Sequence, residues 1–304
     1  MRIPAFDIDL RHYVTANRLF LMGLAMAMIL VYHGFNFILN PLGRLNIGYV
    51  GVDLFLFLSG FGLTRSYENN ATWRFYLNRL QRIFPVYLVA VTLAYVILRH
   101  QWTVKDYLLN VLTLGYYYEG GVKRFDWYLE SLPFLYLFFP LFHQIGKIRL
   151  VGLSLVFISV VIIISATDMS WWYDCLVARL PIFLYGIILY KYNIYNVRLS
   201  FMIAILTPVV YICVSPFLAV SMLVIPIIVI FSFVFNDKSH IVSSVLTFLG
   251  RYSLEIYCVN TLIHKLFLTY NHHLSHQLFV YLIAQPIIVY VFIKTEKNIK
   301  RILL

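Results

Sequence analysis

The chain has 304 residues, of which 62% are hydrophobic and only 12% charged, and its mean hydropathy is +0.81. A soluble domain carries about a quarter charged residues, so this composition excludes a water-soluble globular protein and predicts an all-α polytopic membrane helix bundle. The formal net charge is +11, but no aromatic-basic interleaving of the nucleic-acid kind accompanies it, so no nucleic-acid partner is expected.

Apolar runs of spanning length, roughly 17–25 residues, fall near 19–38, 47–64, 83–99, 127–145, 149–166, 173–190, 199–216, 218–235, 243–264 and 276–293, about ten in all. If the N-terminus is cytoplasmic, the inside loops hold sixteen lysines and arginines and the outside loops six. The positive-inside rule then places both termini in the cytoplasm, in a multi-pass protein of the cell's inner (plasma) membrane with lipids as its surroundings. The basic excess is therefore an orientation signal. The first run lacks a small-residue cleavage site and reads as an uncleaved helix. No long polar segment is left for a second globular domain, so residues 1–304 read as one integral-membrane domain. Cys175, Cys213 and Cys258 show no framework spacing, and neither a disulfide nor a metal is expected.

In chain order, the first polar residue of interest is His33, in an otherwise apolar run. A titratable imidazole inside a bilayer is costly unless it faces a polar cavity, so it is a functional candidate. Asp53, on the next and oppositely directed run, reaches nearly the same depth at about 1.5 Å rise per residue. Two readings are open for the two residues: a base with its orienting carboxylate, or polar groups that glue helices together. Arg79 and Arg82 are three apart and share a helical face. They read either as a guanidinium pair for phosphate oxygens or as positive-inside decoration. The segment 100–126 is too short to span and its tyrosines suit an interface. Glu130, Arg179, Arg251 and Glu255 are further intramembrane charges, with Arg251 and Glu255 at pairing distance on one helix. His264, His272, His273 and His276 read as a solvated outer loop without a zinc spacing.

Four blocks together carry a resemblance. They are Met22-Gly23-Leu24-Ala25 through Tyr32-His33; Gly51-Val52-Asp53 through Ser59-Gly60-Phe61; Arg79-Leu80-Gln81-Arg82-Ile83-Phe84-Pro85; and Arg179 through Gly186 with Leu249-Gly250-Arg251-Tyr252-Ser253-Leu254-Glu255-Ile256-Tyr257. In order and spacing the sequence resembles the membrane acyltransferase 3 family, which O-acetylates sugars on bacterial surface glycans. The resemblance implies a cytoplasmic acyl-CoA donor (acetyl-CoA), a carbohydrate or lipid-linked glycan acceptor on the outer side, His33 as the catalytic residue, and Arg79 and Arg82 at the donor. The chain departs from the family pattern at three places. Met22 stands where the family commonly has arginine, with Arg18 one turn earlier as a substitute. Asn260 stands where a histidine often follows the Ser-Leu-x-x-Tyr block. Leu132 and Pro133 stand where paired glutamates are frequent.

The expectation is a metal-free acyltransferase. His33, oriented by Asp53, deprotonates a sugar hydroxyl. Arg18, Arg79 and Arg82 serve the donor, and Arg179, Glu130 and Glu255 serve the substrate. The rival from another class is a transporter or flippase of a lipid-linked sugar, because buried charges also mark permeation routes. It predicts paired repeats with broken helices, and no such repeat is visible in the sequence. A non-catalytic scaffold in a glycan assembly complex is a third reading, disfavoured by the cost of burying His33.

Overall fold

The computed structural model describes residues 9–36, 47–118, 123–167, 174–235, 240–270 and 285–303. Among these residues every regular element is helical. Five helices are long and apolar enough to cross a bilayer: Ile47–Glu68, Thr72–Ile97, Lys147–Ala166, Cys175–Tyr192 and Pro216–Val234. A sixth candidate is bent by 79° between Leu10–Ala16 (α1) and the following helix. The chain is accordingly a helical membrane protein. It divides into two compact units, interleaved in sequence: residues 1–28, 47–68 and 141–251, and residues 29–46, 69–140 and 252–304.

The first unit is built on α2 (Arg18–Asn36, of which the first half belongs here), α3 (Ile47–Glu68), α7 (Lys147–Ala166), α8 (Asp174–Val177), α9 (Leu180–Tyr192), α10 (Val197–Ile205), α11 (Thr207–Cys213), α12 (Pro216–Ser221), α13 (Val224–Val234) and α14 (His240–Arg251). Its most extensive packing joins α3 and α9. Membrane helices gain little from hydrophobic burial against one another and associate through close backbone approach at small residues. Gly60 and Gly186 meet that need. A Cβ on Gly60 would lie 2.1 Å from the Phe183 carbonyl oxygen, and one on Gly186 would lie 2.2 Å from the Phe57 carbonyl oxygen. The same device seats α14 on α2, where a Cβ on Gly23 would lie 1.7 Å from the Leu246 carbonyl oxygen.

Several expected spans are interrupted. The run predicted over 199–216 is two helices, α10 and α11, with Pro208 in the first turn of the second. Proline is accepted at that position because its missing N–H would have had no helical partner there. A further proline, Pro216, opens α12. The run predicted over 243–264 changes helix after Arg251 and continues as α15 (Ser253–Tyr270). Arg251 borders an open groove with Ser243, Ser244, Thr247 and Phe248.

The second unit holds the end of α2, α4 (Thr72–Ile97), α5 (Val104–Val111), α6 (Trp127–Gln144, up to Pro140), α15 and α16 (Gln285–Leu303). Here α15 packs against both α4 and α16. The segment expected at an interface is the short α5 followed by a 3-10 turn at Gly115–Tyr117. It is tied down by polar contacts. Thr103 and Asp106 form a reciprocal capping box, and Lys123 Nζ lies 3.0 Å from Asp106 Oδ2. The Tyr87 hydroxyl donates to the Asn110 carbonyl at 2.7 Å. The part of the span predicted over 276–293 that precedes Gln285 lies outside the described residues.

Candidate active site

In the second unit, the Nδ1 of His33 meets the Oδ1 of Asn260. An amide oxygen only accepts, so this bond places the imidazole proton on Nδ1 and leaves the lone pair on Nε2. That is the tautomer a general base requires. The ring of His264 stacks on that of His33 with centroids 4.5 Å apart and planes inclined by 12°. Asn260 and His264 are four apart on α15 and therefore share a face. Tyr257, three residues earlier, continues the stripe, and its hydroxyl donates to Asp126 at 3.1 and 3.2 Å. Asp126 also accepts the Leu129 amide at 2.9 Å, which caps the start of α6. The tyrosine ring lies 5.4 Å from that of Tyr128.

Two site residues thus come from positions read differently in the sequence. His264 was expected in a solvated loop; it lies on α15 with its ring against His33, because the helix runs to Tyr270. His272, His273 and His276 lie outside the described residues. Asn260, known only as a departure from a family pattern, is the partner of the imidazole. The 257–260–264 spacing is a helical one and was the signal available.

Asp53 was expected to orient His33. It is fully buried in the first unit, with Oδ1 2.7 Å from the Nε of the equally buried Arg179. Arg179 also donates through Nη1 to the Cys175 carbonyl at 2.8 Å. Its guanidinium carbon sits 5.2 Å from the ring centroid of Tyr49 and 4.7 Å from that of Phe217. Asp53 and Arg179 therefore tie α3 to the start of α9. Partial neutralisation by an ion pair is how a membrane interior tolerates such charges.

Glu130, expected at the substrate, lies in the first turn of α6 in the second unit. Its carboxylate accepts the backbone amides of Tyr116, Phe125 and Asp126, the last two at 2.9 and 3.2 Å. With its acceptors taken up by backbone, Glu130 anchors Tyr116, Phe125 and Asp126 to α6. Glu255 is half-buried in the first turn of α15, where a negative charge suits the helix dipole.

Arg79 and Arg82 lie in the N-terminal part of α4. Arg79 is half-buried, its guanidinium carbon 5.0 Å from the centroid of Phe75, while Arg82 is exposed. Arg18 lies in the first unit at the start of α2, against the backbone of α3. A Cβ on Gly62 would come within 3.0 Å of Arg18 Nη2. Met22, one turn on, is buried apolar core.

The amide-held imidazole belongs to a chain with helices of spanning length. Residues 20–293 match the sequence profile of the acyltransferase 3 family, described as an acyltransferase domain, and the chain belongs to that family. It is an acyltransferase. Among curated proteins it is similar to one of Acidianus two-tailed virus named a "putative acetyltransferase". The two are 26% identical over 273 residues, covering 81% of this chain and 82% of the relative. No solved structure matches.

Proposed function

We propose that the protein moves an acyl group, in the first instance acetyl, from cytoplasmic acyl-CoA to a hydroxyl of a surface or lipid-linked carbohydrate. The observation that carries this reading is the bond between His33 Nδ1 and Asn260 Oδ1, which leaves Nε2 as a base inside a helical membrane enzyme. The named acetyl activity of the viral relative supports the choice of acyl group. Family membership favours chemistry over the transporter reading.

His33 Nε2 takes the proton of the acceptor hydroxyl, and the oxygen attacks the thioester carbonyl. The C–S bond breaks, and the thiolate leaves with the proton that His33 held. Arg79 and Arg82 provide guanidinium donors three apart on α4, a geometry that suits the phosphate oxygens of coenzyme A. The positive-inside bias places that end of α4 in the cytoplasm with both termini, where acyl-CoA resides. Arg18, against Gly62, is the residue best placed to take over from the arginine that Met22 replaces.

Purified protein in detergent, incubated with radiolabelled acetyl-CoA, tests the reading. The parent should transfer or hydrolyse the acetyl group, and His33→Ala should lose this by roughly the 10²–10⁴-fold typical of a positioned general base. Equal rates for parent and His33→Ala would remove the proposed base.

A further inference from the structure

Asn260 has two ends, and only one is accounted for by His33. The side chain is completely buried. Its Oδ1 engages His33, while its Nδ2 has no hydrogen-bond partner among the described residues. A buried amide donor left unsatisfied costs about 1–3 kcal/mol. Such an orphan beside a base marks a place where a ligand atom completes the network.

We propose that Asn260 Nδ2 holds the acceptor by a second oxygen, adjacent to the one His33 deprotonates. The acceptor class is then a vicinal diol or its ether, as on a sugar ring. This rests on the acyl-transfer reading and refines it. Oδ1 fixes the imidazole tautomer, and Nδ2 is the remaining donor of the same amide, available to the hydroxyl carrier. The reaction itself is unchanged. The reacting hydroxyl gives its proton to Nε2, its oxygen forms the ester bond, the thioester C–S bond breaks, and the thiolate takes the proton from His33. The neighbouring oxygen stays unreacted and accepts the Nδ2 hydrogen bond throughout.

The test uses full-length protein, acetyl-CoA and three small alcohols: ethylene glycol, 2-methoxyethanol and 1-propanol. A donor needs only an oxygen to bind, so the parent should acetylate the glycol and its ether with similar kcat/KM. Both should exceed 1-propanol by about tenfold to a hundredfold, the ratio that one satisfied buried donor is worth. Asn260→Asp retains an oxygen for the Nδ1–H of His33 but has no N–H. Whatever its overall rate, its kcat/KM ratio of glycol or ether to 1-propanol should fall to about one. Asn260→Leu should lower transfer to all three. A parent that treats the three alcohols alike, or an Asn260→Asp variant as selective as the parent, overturns the proposal and leaves acyl transfer standing; Nδ2 then binds only a buried water. A parent with the glycol preferred and the ether as poor as propanol also overturns it, since the second oxygen would then be donating. Loss of acetyl transfer in the parent itself overturns both readings.

Discussion

His33 was legible because an imidazole in a hydrocarbon span is expensive enough to demand a reason. Its partner was not. Depth along the membrane follows from counting residues, and on that count Asp53 was suitable. Rotation about the helix axis decides which side chains meet, and two turns of polar residues on α15 were the better guide. Asn260 carries no charge and so drew no electrostatic attention, although a neutral amide is the cheaper partner to bury. Asp53 is the counter-ion of Arg179 at 2.7 Å. Removing one member of a buried ion pair leaves an uncompensated charge and destabilises by about 3–5 kcal/mol, whereas replacing both with apolar groups is far milder. Asp53→Leu and Arg179→Met alone should each lower the thermal midpoint in detergent strongly, and the double variant should recover much of the loss. Independent, additive losses would show that the two charges do not depend on one another.

At the scale of elements, hydropathy located the helices but not their breaks. A run of apolar residues reads as continuous even where Pro208 opens a new helix or where the chain turns between Arg251 and Ser253. The break at 252 matters most, because it sets the start of α15 and hence which residues lie on the face of Tyr257, Asn260 and His264. The short α5 shows the opposite case, in which polar signals were sufficient: Thr103 and Asp106 are spaced as a capping box and form one. Burial works to raise the Asp106 carboxyl, but the Thr103 amide and hydroxyl and the Lys123 ammonium outweigh it and hold the group below the usual carboxylate range. A depressed folded value means that the contribution to stability is complete above the unfolded value of about 3.9 and is lost as pH falls through the folded one. Asp106→Asn should therefore be less stable than the parent at neutral pH, by about 1 kcal/mol, since charge-assisted bonds become neutral ones and Lys123 is part-exposed. Below about pH 4 the gap should close as the parent carboxylate is protonated. A gap that does not narrow as the pH is lowered through and below the carboxylate range in thermal unfolding would assign the effect to the altered side chain and not to its charge.

At the scale of the molecule, composition alone was enough for an all-helical membrane protein, because only closed hydrogen-bonding elements survive in lipid. The division into two units could not be read from the sequence, since each draws on separated stretches of chain. The orientation remains tied to charge bias, and α4 offers the cleanest place to measure it. At about 1.5 Å per residue its 26 residues extend roughly 39 Å, beyond a hydrocarbon core of about 30 Å, so at least one end projects. The end beginning at Thr72 carries Arg74, Arg79 and Arg82, while the far end is followed by Arg99 alone before Gln101. The asymmetry predicts the three arginines inside, and with them the proposed contacts to acyl-CoA. Ala71 and Gln101 flank the helix and are both exposed. In a background with Cys175, Cys213 and Cys258 replaced by alanine, Gln101→Cys should react with an impermeant maleimide on intact cells. Ala71→Cys should react only after permeabilisation. The opposite pattern would turn the helix over and put Arg79 and Arg82 on the side without acyl-CoA, so the donor would have to enter from another surface even if His33 remained the base.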